Sequence, residues 1–146
     1  RTMLVKKGFH SQLNSRGYRL TQQRQAILNE LQQAGHHLTA REIYAAVRRY
    51  LPQISLGTVY RNLDVLEQLV LIKKFEHRGL CRYDADIQDH YHLFCQHCDR
   101  IEDIPKSELG NLESHFNWET DFHISHYQLD FHGSCVSCQK NRVDQK

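Results

Sequence analysis

Two C-x-x-C pairs, Cys95 with Cys98 and Cys135 with Cys138, constrain this chain more than any other feature. Four thiolates at that spacing suit a closed tetrahedral zinc site, which ties two distant stretches of chain into one small domain. No run of residues approaches the length of a membrane span, and residues 1–9 lack the apolar core of a signal peptide. The expectation is a cytoplasmic protein without membrane contact, where paired cysteines hold metal rather than form disulfides. At 146 residues, 40% of them hydrophobic, the chain can build one ordinary domain or two small ones that need extra stabilisation. A structural metal supplies it.

The net charge of +2 conceals an asymmetry. Residues 1–83 carry 14 Lys+Arg against 5 Asp+Glu, whereas residues 84–146 carry 5 against 12. The basic part suits a polyanion, most commonly nucleic acid, and the acidic part suits cations. Of the 11 histidines, only His10, His36 and His37 precede residue 77, so metal-ligating side chains gather in the acidic part.

The basic part reads as helical. Thr21 precedes a segment with Ala26, Ile27, Leu28 and Leu31 on one side, and Gly35 ends it. Thr39-Ala40-Arg41-Glu42 has the form of a capping box and opens a helix expected to bury Ile43, Ala46, Val47 and Tyr50. After Pro52, Ser55 caps a further helix with Val59, Leu63, Leu66 and Leu69 at helical spacing, leaving Thr58, Tyr60, Arg61 and Asp64 on its other face. Two short strands, residues 71–76 and 80–83, flank a turn at His77-Arg78-Gly79. Three helices followed by such a hairpin describe a winged helix, whose last helix enters the major groove of double-stranded DNA. Thr58, Tyr60 and Arg61 then face bases or phosphates, with Arg16, Arg19 and Arg24 as backbone or minor-groove contacts.

The expected fold class is therefore α+β, with a winged-helix DNA-binding domain over residues 1–84, a hinge over 85–90 and a small α/β domain over 91–146. In the last of these, residues 92–95 and 99–104 read as strands joined by the first cysteine knuckle. Pro105 starts a helix reaching about Phe116, and residues 121–131 alternate as a long strand leading to the second knuckle.

Taken together, Gly17-Tyr18-Arg19-Leu20-Thr21-x-x-Arg24, His37-Leu38-Thr39-Ala40-x-x-Ile43-Tyr44, Thr58-Val59-Tyr60-Arg61-Asn62-Leu63, Asp89-His90-Tyr91-His92 and the two C-x-x-C pairs make a specific pattern. Over nearly its whole length the chain resembles the ferric uptake regulator (Fur) family of dimeric, metal-dependent transcriptional repressors. The resemblance implies a homodimer that binds AT-rich inverted repeats when a regulatory metal is present, and no enzymatic activity. It assigns DNA contact to Tyr60 and Arg61. A basic residue that some members carry in the N-terminal loop falls on Ser15, with Arg16 beside it to substitute.

The resemblance also implies a regulatory site at the hinge, formed by His37, Asp84, His90, His92 and Asp103. His90 and His92, two apart in an extended stretch, project from one face. A metal joining His37 to the second domain would fix the spacing of two recognition helices in a dimer. Three imidazoles and two carboxylates suit Fe²⁺ or Mn²⁺ better than the cysteine cage does, with Zn²⁺ as the alternative ion.

Asp103, with Asp84 six residues before His90, most resembles the peroxide-sensing branch, PerR. There bound Fe²⁺ reacts with hydrogen peroxide, a ligating histidine is oxidised, the metal is lost and DNA is released. The matching oxidisable ligands are His37 and His90. Glu102 and Cys81 carry the competing readings of an iron- or zinc-uptake regulator, since iron-sensing members often use a glutamate and zinc-sensing members a cysteine. In a continuous strand Cys81 and Asp84 face opposite ways, and Cys81 is expected to be a buried apolar residue.

A further site found in some members would fall on Asp89, Tyr91 and Tyr127, so most of its ligands are missing. His123, His126 and His132 are expected as exposed strand residues and His97 as solvated. A metalloenzyme built on the His/Asp site lacks a separate general base. A zinc-stabilised interaction module leaves the Thr58–Leu63 motif unexplained.

Overall fold

The computed structural model describes residues 17–35, 37–115, 118–125 and 127–143. The chain divides between Ile87 and Gln88 into two compact units. Among the described residues no helix is long and apolar enough to cross a membrane.

The first unit contains α1 (Gln22–Gln33), β1 (Leu38–Thr39), α2 (Ala40–Val47), α3 (Leu56–Gln68), β2 (Lys73–His77) and β3 (Leu80–Asp84). Each helix starts where a hydroxyl can accept an orphan amide. Thr21 accepts from Arg24 at 3.2 Å and Ser55 from Thr58 at 3.1 Å. Thr39 and Glu42 form both arms of a capping box, at 3.3 Å and 2.7 Å. The inward faces carry Ile27, Leu28, Ile43, Val47, Val59, Leu63 and Leu66, all almost fully buried together with Leu71 and Ile72. Tyr50, by contrast, is exposed. Its position past the end of α2 points it along the surface, where its hydroxyl donates to Glu30 at 2.6 Å.

The wing is the β2–β3 hairpin, closed by Arg78 (φ 52°) and Gly79 (φ 72°) as a turn with two left-handed residues. β1 adds to its other edge, giving the order β1-β3-β2. Three helices packed with this hairpin make the winged-helix arrangement.

Helix α3 ends in a Schellman motif. The Val70 amide donates to the Glu67 carbonyl at 2.8 Å and the Leu71 amide to Leu66 at 3.0 Å. The residue in the left-handed position is Val70, at φ 57° and 58% exposed. A β-branched side chain there strains the backbone by about 1–2 kcal/mol and buries little in return. Val70→Gly is expected to stabilise this unit by about 1 kcal/mol, after allowance for the glycine's greater freedom when unfolded. A urea titration checks it, and an unchanged or lower midpoint refutes it.

The second unit is a three-stranded sheet, order β5-β4-β6, built from β4 (His90–Cys95), β5 (Ile101–Pro105) and β6 (Asp130–Gly133). β4 and β5 are antiparallel, while β4 and β6 are parallel. A short helix, α4 (Val136–Val143), follows.

Two expectations fail here. Instead of one helix from Pro105, residues 106–109 and 112–115 form separate short 3₁₀ turns. Gly110, at φ 65°, lies between them and breaks the path. The long strand over 121–131 reduces to β6, because Phe122 and Ile124 alternate without cover and stand 83% and 54% exposed. Among the described residues of this unit the buried hydrophobics are Tyr91, Phe94 and Cys95. So small a core needs a further tie.

Candidate metal centre

The four cysteines of the knuckles meet at one end of the second sheet. Cys95 closes β4, Cys98 sits on the turn before β5, Cys135 follows β6, and Cys138 lies in the first turn of α4. Their sulfurs all lie within 4.8 Å of one another, and Cys98 and Cys135 are 3.7 Å apart. That separation is too long for a disulfide. It matches the roughly 3.8 Å between sulfurs that each lie about 2.3 Å from a tetrahedral zinc.

The backbone prepares the cluster. The Cys95 sulfur accepts from the Cys135 amide at 3.4 Å and from the His97 amide at 3.5 Å, and these two bonds pull its pKa down to about 5. Cys138, hydrogen-bonded to Cys135 and Cys98, is pushed up to about 12. Four crowded sulfurs cannot all ionise by themselves, and a divalent cation removes the conflict. The donor set fits zinc and leaves no open coordination position.

The remaining candidate ligands form two groups, one in each unit. In the first unit, β1 and β3 pair Leu38 with Tyr83 and Thr39 with Arg82. One step along the same register sets His37 beside Asp84. His37 Nε2 and Asp84 Oδ2 are 3.2 Å apart, and both residues are buried. The other carboxylate oxygen accepts from the Asp86 amide at 2.8 Å, which fixes its plane. Phe75 meets the imidazole edge-on, with ring centroids 5.0 Å apart at 77°.

In the second unit, His90 and His92 occupy one face of β4, with their Nε2 atoms 3.2 Å apart. Asp103 is the cross-strand partner of His92 and puts Oδ1 3.6 Å from His92 Nε2 and 3.7 Å from His90 Nε2. A metal about 2.1 Å from its ligands sets neighbouring donors about 3.0–3.4 Å apart, so this triangle needs only small closure. His90 Nδ1 donates to the Gln88 carbonyl at 2.8 Å, which selects the tautomer with a free lone pair on Nε2. Imidazole and carboxylate donors without thiolate, as each group supplies, suit Fe²⁺ or Mn²⁺.

Register separates the competing residues. Glu102 is paired with Leu93, on the opposite face of β5 from Asp103, and it forms an ion pair with Arg100 at 2.5 Å. Cys81 shares a face of β3 with Tyr83, to which it is hydrogen-bonded, and not with Asp84. The expectation that Cys81 is buried is wrong: its thiol is exposed. Here the hairpin runs past the helical core, and its cross-strand partner Glu76 is exposed as well.

The Tyr91 and Tyr127 hydroxyls share one hydrogen bond at 3.0 Å. Lys106 lies 5.8 Å over the Tyr127 ring and 3.9 Å from Asp89. His97, His123 and His132 are exposed, with His132 stacked on Phe94 at 5.3 Å, and His126 lies outside the described residues.

The third feature is the face of α3. Tyr60, Arg61 and Asp64 are exposed, and Thr58 is half-buried. The Arg61 guanidinium donates to the Thr58 hydroxyl at 3.0 Å, which itself lies 2.9 Å from the Ser55 hydroxyl. Arg19 is exposed, whereas Arg16 and Ser15 lie outside the described residues. Arg24 does not project freely: its guanidinium donates to the Arg19 carbonyl at 2.5 Å and sits 5.8 Å over the Tyr18 ring. Sequence reasoning missed Arg82, which is buried and donates to the His37 carbonyl at 2.9 Å. A charged residue at the centre of a strand facing a core was the available signal.

The model of the ferric uptake regulator family matches residues 15–132. The peroxide-responsive repressor PerR of Staphylococcus aureus is 36% identical over 128 residues, which span 87% of this chain and 86% of that protein. Among solved structures, the Helicobacter pylori ferric uptake regulator Fur, described with three functional metal-binding sites, superposes with a TM-score of 0.79. It is 23% identical, over 92% of this chain and 91% of that one. PerR of Streptococcus pyogenes, described for peroxide sensing and gene regulation, is 26% identical with a TM-score of 0.52, over 90% and 91% of the two chains.

Proposed function

The chain belongs to the ferric uptake regulator family, whose members are transcriptional regulators rather than enzymes, and on that premise we propose that it is a metal-dependent repressor that senses peroxide. In this reading His37 and Asp84 of one unit and His90, His92 and Asp103 of the other share a single Fe²⁺ or Mn²⁺. The cysteine cluster holds a permanent zinc. Two copies of the chain place two α3 helices in successive major grooves of an AT-rich inverted repeat, where Thr58, Tyr60 and Arg61 meet the DNA, with Arg16 and Arg19 alongside.

The observation that carries the reading is the preparation of each ligand group for a cation. His90 has its Nε2 lone pair selected by the bond from Nδ1 to Gln88, and the Asp84 carboxylate is oriented by the Asp86 amide. The two groups lie on either side of the 85–89 connection. A metal shared between them would fix the angle between the units, and that angle sets the spacing of the DNA-reading helices. Among the described residues no thiolate joins either group, which favours iron or manganese over a zinc-uptake role. A bound Fe²⁺ would supply the reduction of hydrogen peroxide, a reaction that Mn²⁺ or Zn²⁺ in the same ligands does not offer. The exposed Trp118, Phe122 and Ile124 provide an apolar surface for the second copy. Reduced cysteines at the zinc cluster fit a cytoplasmic location.

The test is binding of the zinc-loaded chain to an AT-rich inverted repeat with and without Mn²⁺. Mn²⁺ is expected to tighten binding by about 5- to 150-fold, the range of an ordinary coupling between sites. Affinity should fall steeply with salt, and Arg61→Ala should weaken it, with the salt slope reduced by about 1 if the contact is to phosphate. Binding that ignores both metal and salt sinks the reading.

A further inference from the structure

We propose that Arg82 is a positioning residue for His37, an inference that rests on the reading of His37 as a metal ligand. Strand β1 is two residues long and pairs with β3 only through Leu38 with Tyr83 and Thr39 with Arg82. His37 stands one residue before it, where the backbone ladder has already ended. Arg82 bridges that gap. Its Nη1 donates to the His37 carbonyl at 2.9 Å and lies 3.8 Å from Oε2 of Glu42. The same Glu42 oxygen accepts from the Thr39 amide at 2.7 Å and from the Thr39 hydroxyl at 2.9 Å. One buried guanidinium thus joins the main chain of the ligand to the carboxylate that caps α2.

A buried cation is costly unless acceptors meet it, so guanidinium, carbonyl and carboxylate hold one another in one arrangement. Phe75, the cross-strand partner of Arg82 on β2, sets its ring against the His37 imidazole. Backbone and ring of the ligand are therefore both placed from the same row of the sheet. Lysine carries the charge but lacks the planar fork, and it cannot restore this geometry.

The sign of the effect separates positioning from simple electrostatics. Arg82 is itself a cation, so by Coulomb's law alone its removal would tighten the binding of a divalent ion nearby. As a positioning residue its removal weakens binding. Groups that orient metal ligands change affinity by about 10- to 100-fold when lost.

The experiment titrates Mn²⁺ into the zinc-loaded full chain and follows the free ion by electron paramagnetic resonance. Arg82→Met and the charge-preserving Arg82→Lys are both expected to weaken binding by about 10- to 100-fold. In the His37→Ala background neither should weaken it further, because Arg82 acts through His37. In the protein without added Mn²⁺, Arg82→Lys should also shift the nuclear magnetic resonance signals of the His37 ring, a readout independent of loading. Unchanged or tighter binding by the folded Arg82 variants overturns the proposal, as does an equal loss in the His37→Ala background. His37→Ala alone distinguishes the two levels. If it leaves Mn²⁺ binding intact, the ligand reading falls and the positioning role falls with it. If it weakens binding while the Arg82 variants do not, only the positioning role falls.

Discussion

Cys95→Ser is expected to abolish zinc retention and unfold the second unit while leaving the helices of the first unit in place. Cys95 is the buried member of the cluster and terminates β4, and its sulfur receives two main-chain amides. With few buried hydrophobics around it, the unit is expected to depend on a metal held by the cluster, since structural zinc contributes on the order of 10 kcal/mol or more to folding of a small domain. A serine hydroxyl neither ionises near neutral pH nor binds zinc comparably. The first unit has its own apolar cluster and should unfold separately. Metal analysis of the purified variant reads the lost zinc, circular dichroism the retained helix, and a measurement of molecular mass the loss of the dimer expected once the second unit unfolds. A folded dimeric variant with one tightly held zinc per chain would contradict the structural role.

Hydrogen peroxide is expected to release the Fe²⁺ form from an AT-rich inverted repeat and to leave the Mn²⁺ form bound. The loss should approach the whole metal-dependent gain in affinity, about 5- to 150-fold, because in the proposed reading oxidation of a ligand would remove the ion shared by the two ligand groups. Mass spectrometry should find one added oxygen on His37 or His90 in the released protein and none in the Mn²⁺ control. Protein contacts alone hold both imidazoles, His37 by Asp84 and Phe75 and His90 by Gln88. Equal release of both forms, or oxidation confined to cysteines with loss of zinc, would assign the response to the cysteine cluster instead.

Much of the first unit was legible because its cues are local. A hydroxyl three residues before an amide, or a glycine at a left-handed turn, acts over a single turn of chain. Thr39 with Glu42 and Ser55 with Thr58 could therefore be read directly. The second unit was less legible because its order is set between distant segments. Periodicity around Phe122 and Ile124 shows which side could be covered, not whether anything covers it. Helix α4 has no apolar repeat to reveal it, since its sequence is mostly polar and its start is fixed by Cys135 and Cys138. The preference for Asp103 over Glu102 rested on the family resemblance, because strand register is not written locally. A one-residue difference in register exchanges the faces of a strand, and the structure pairs Asp103 with His92 and Glu102 with Leu93. The position of Arg82 in its strand was a signal, but its acceptor, a carbonyl 45 residues away, was not legible.

The parallel pairing of β4 with β6 has a consequence for biosynthesis. Residues 92–95 find their partners only at residues 130–133, and the cluster that closes the sheet awaits Cys135 and Cys138. As the ribosome delivers the chain, His90 and His92 emerge long before the strand that flanks them. A chain that ends short of residue 130 consequently carries the first unit followed by a β4 whose parallel edge is unpaired.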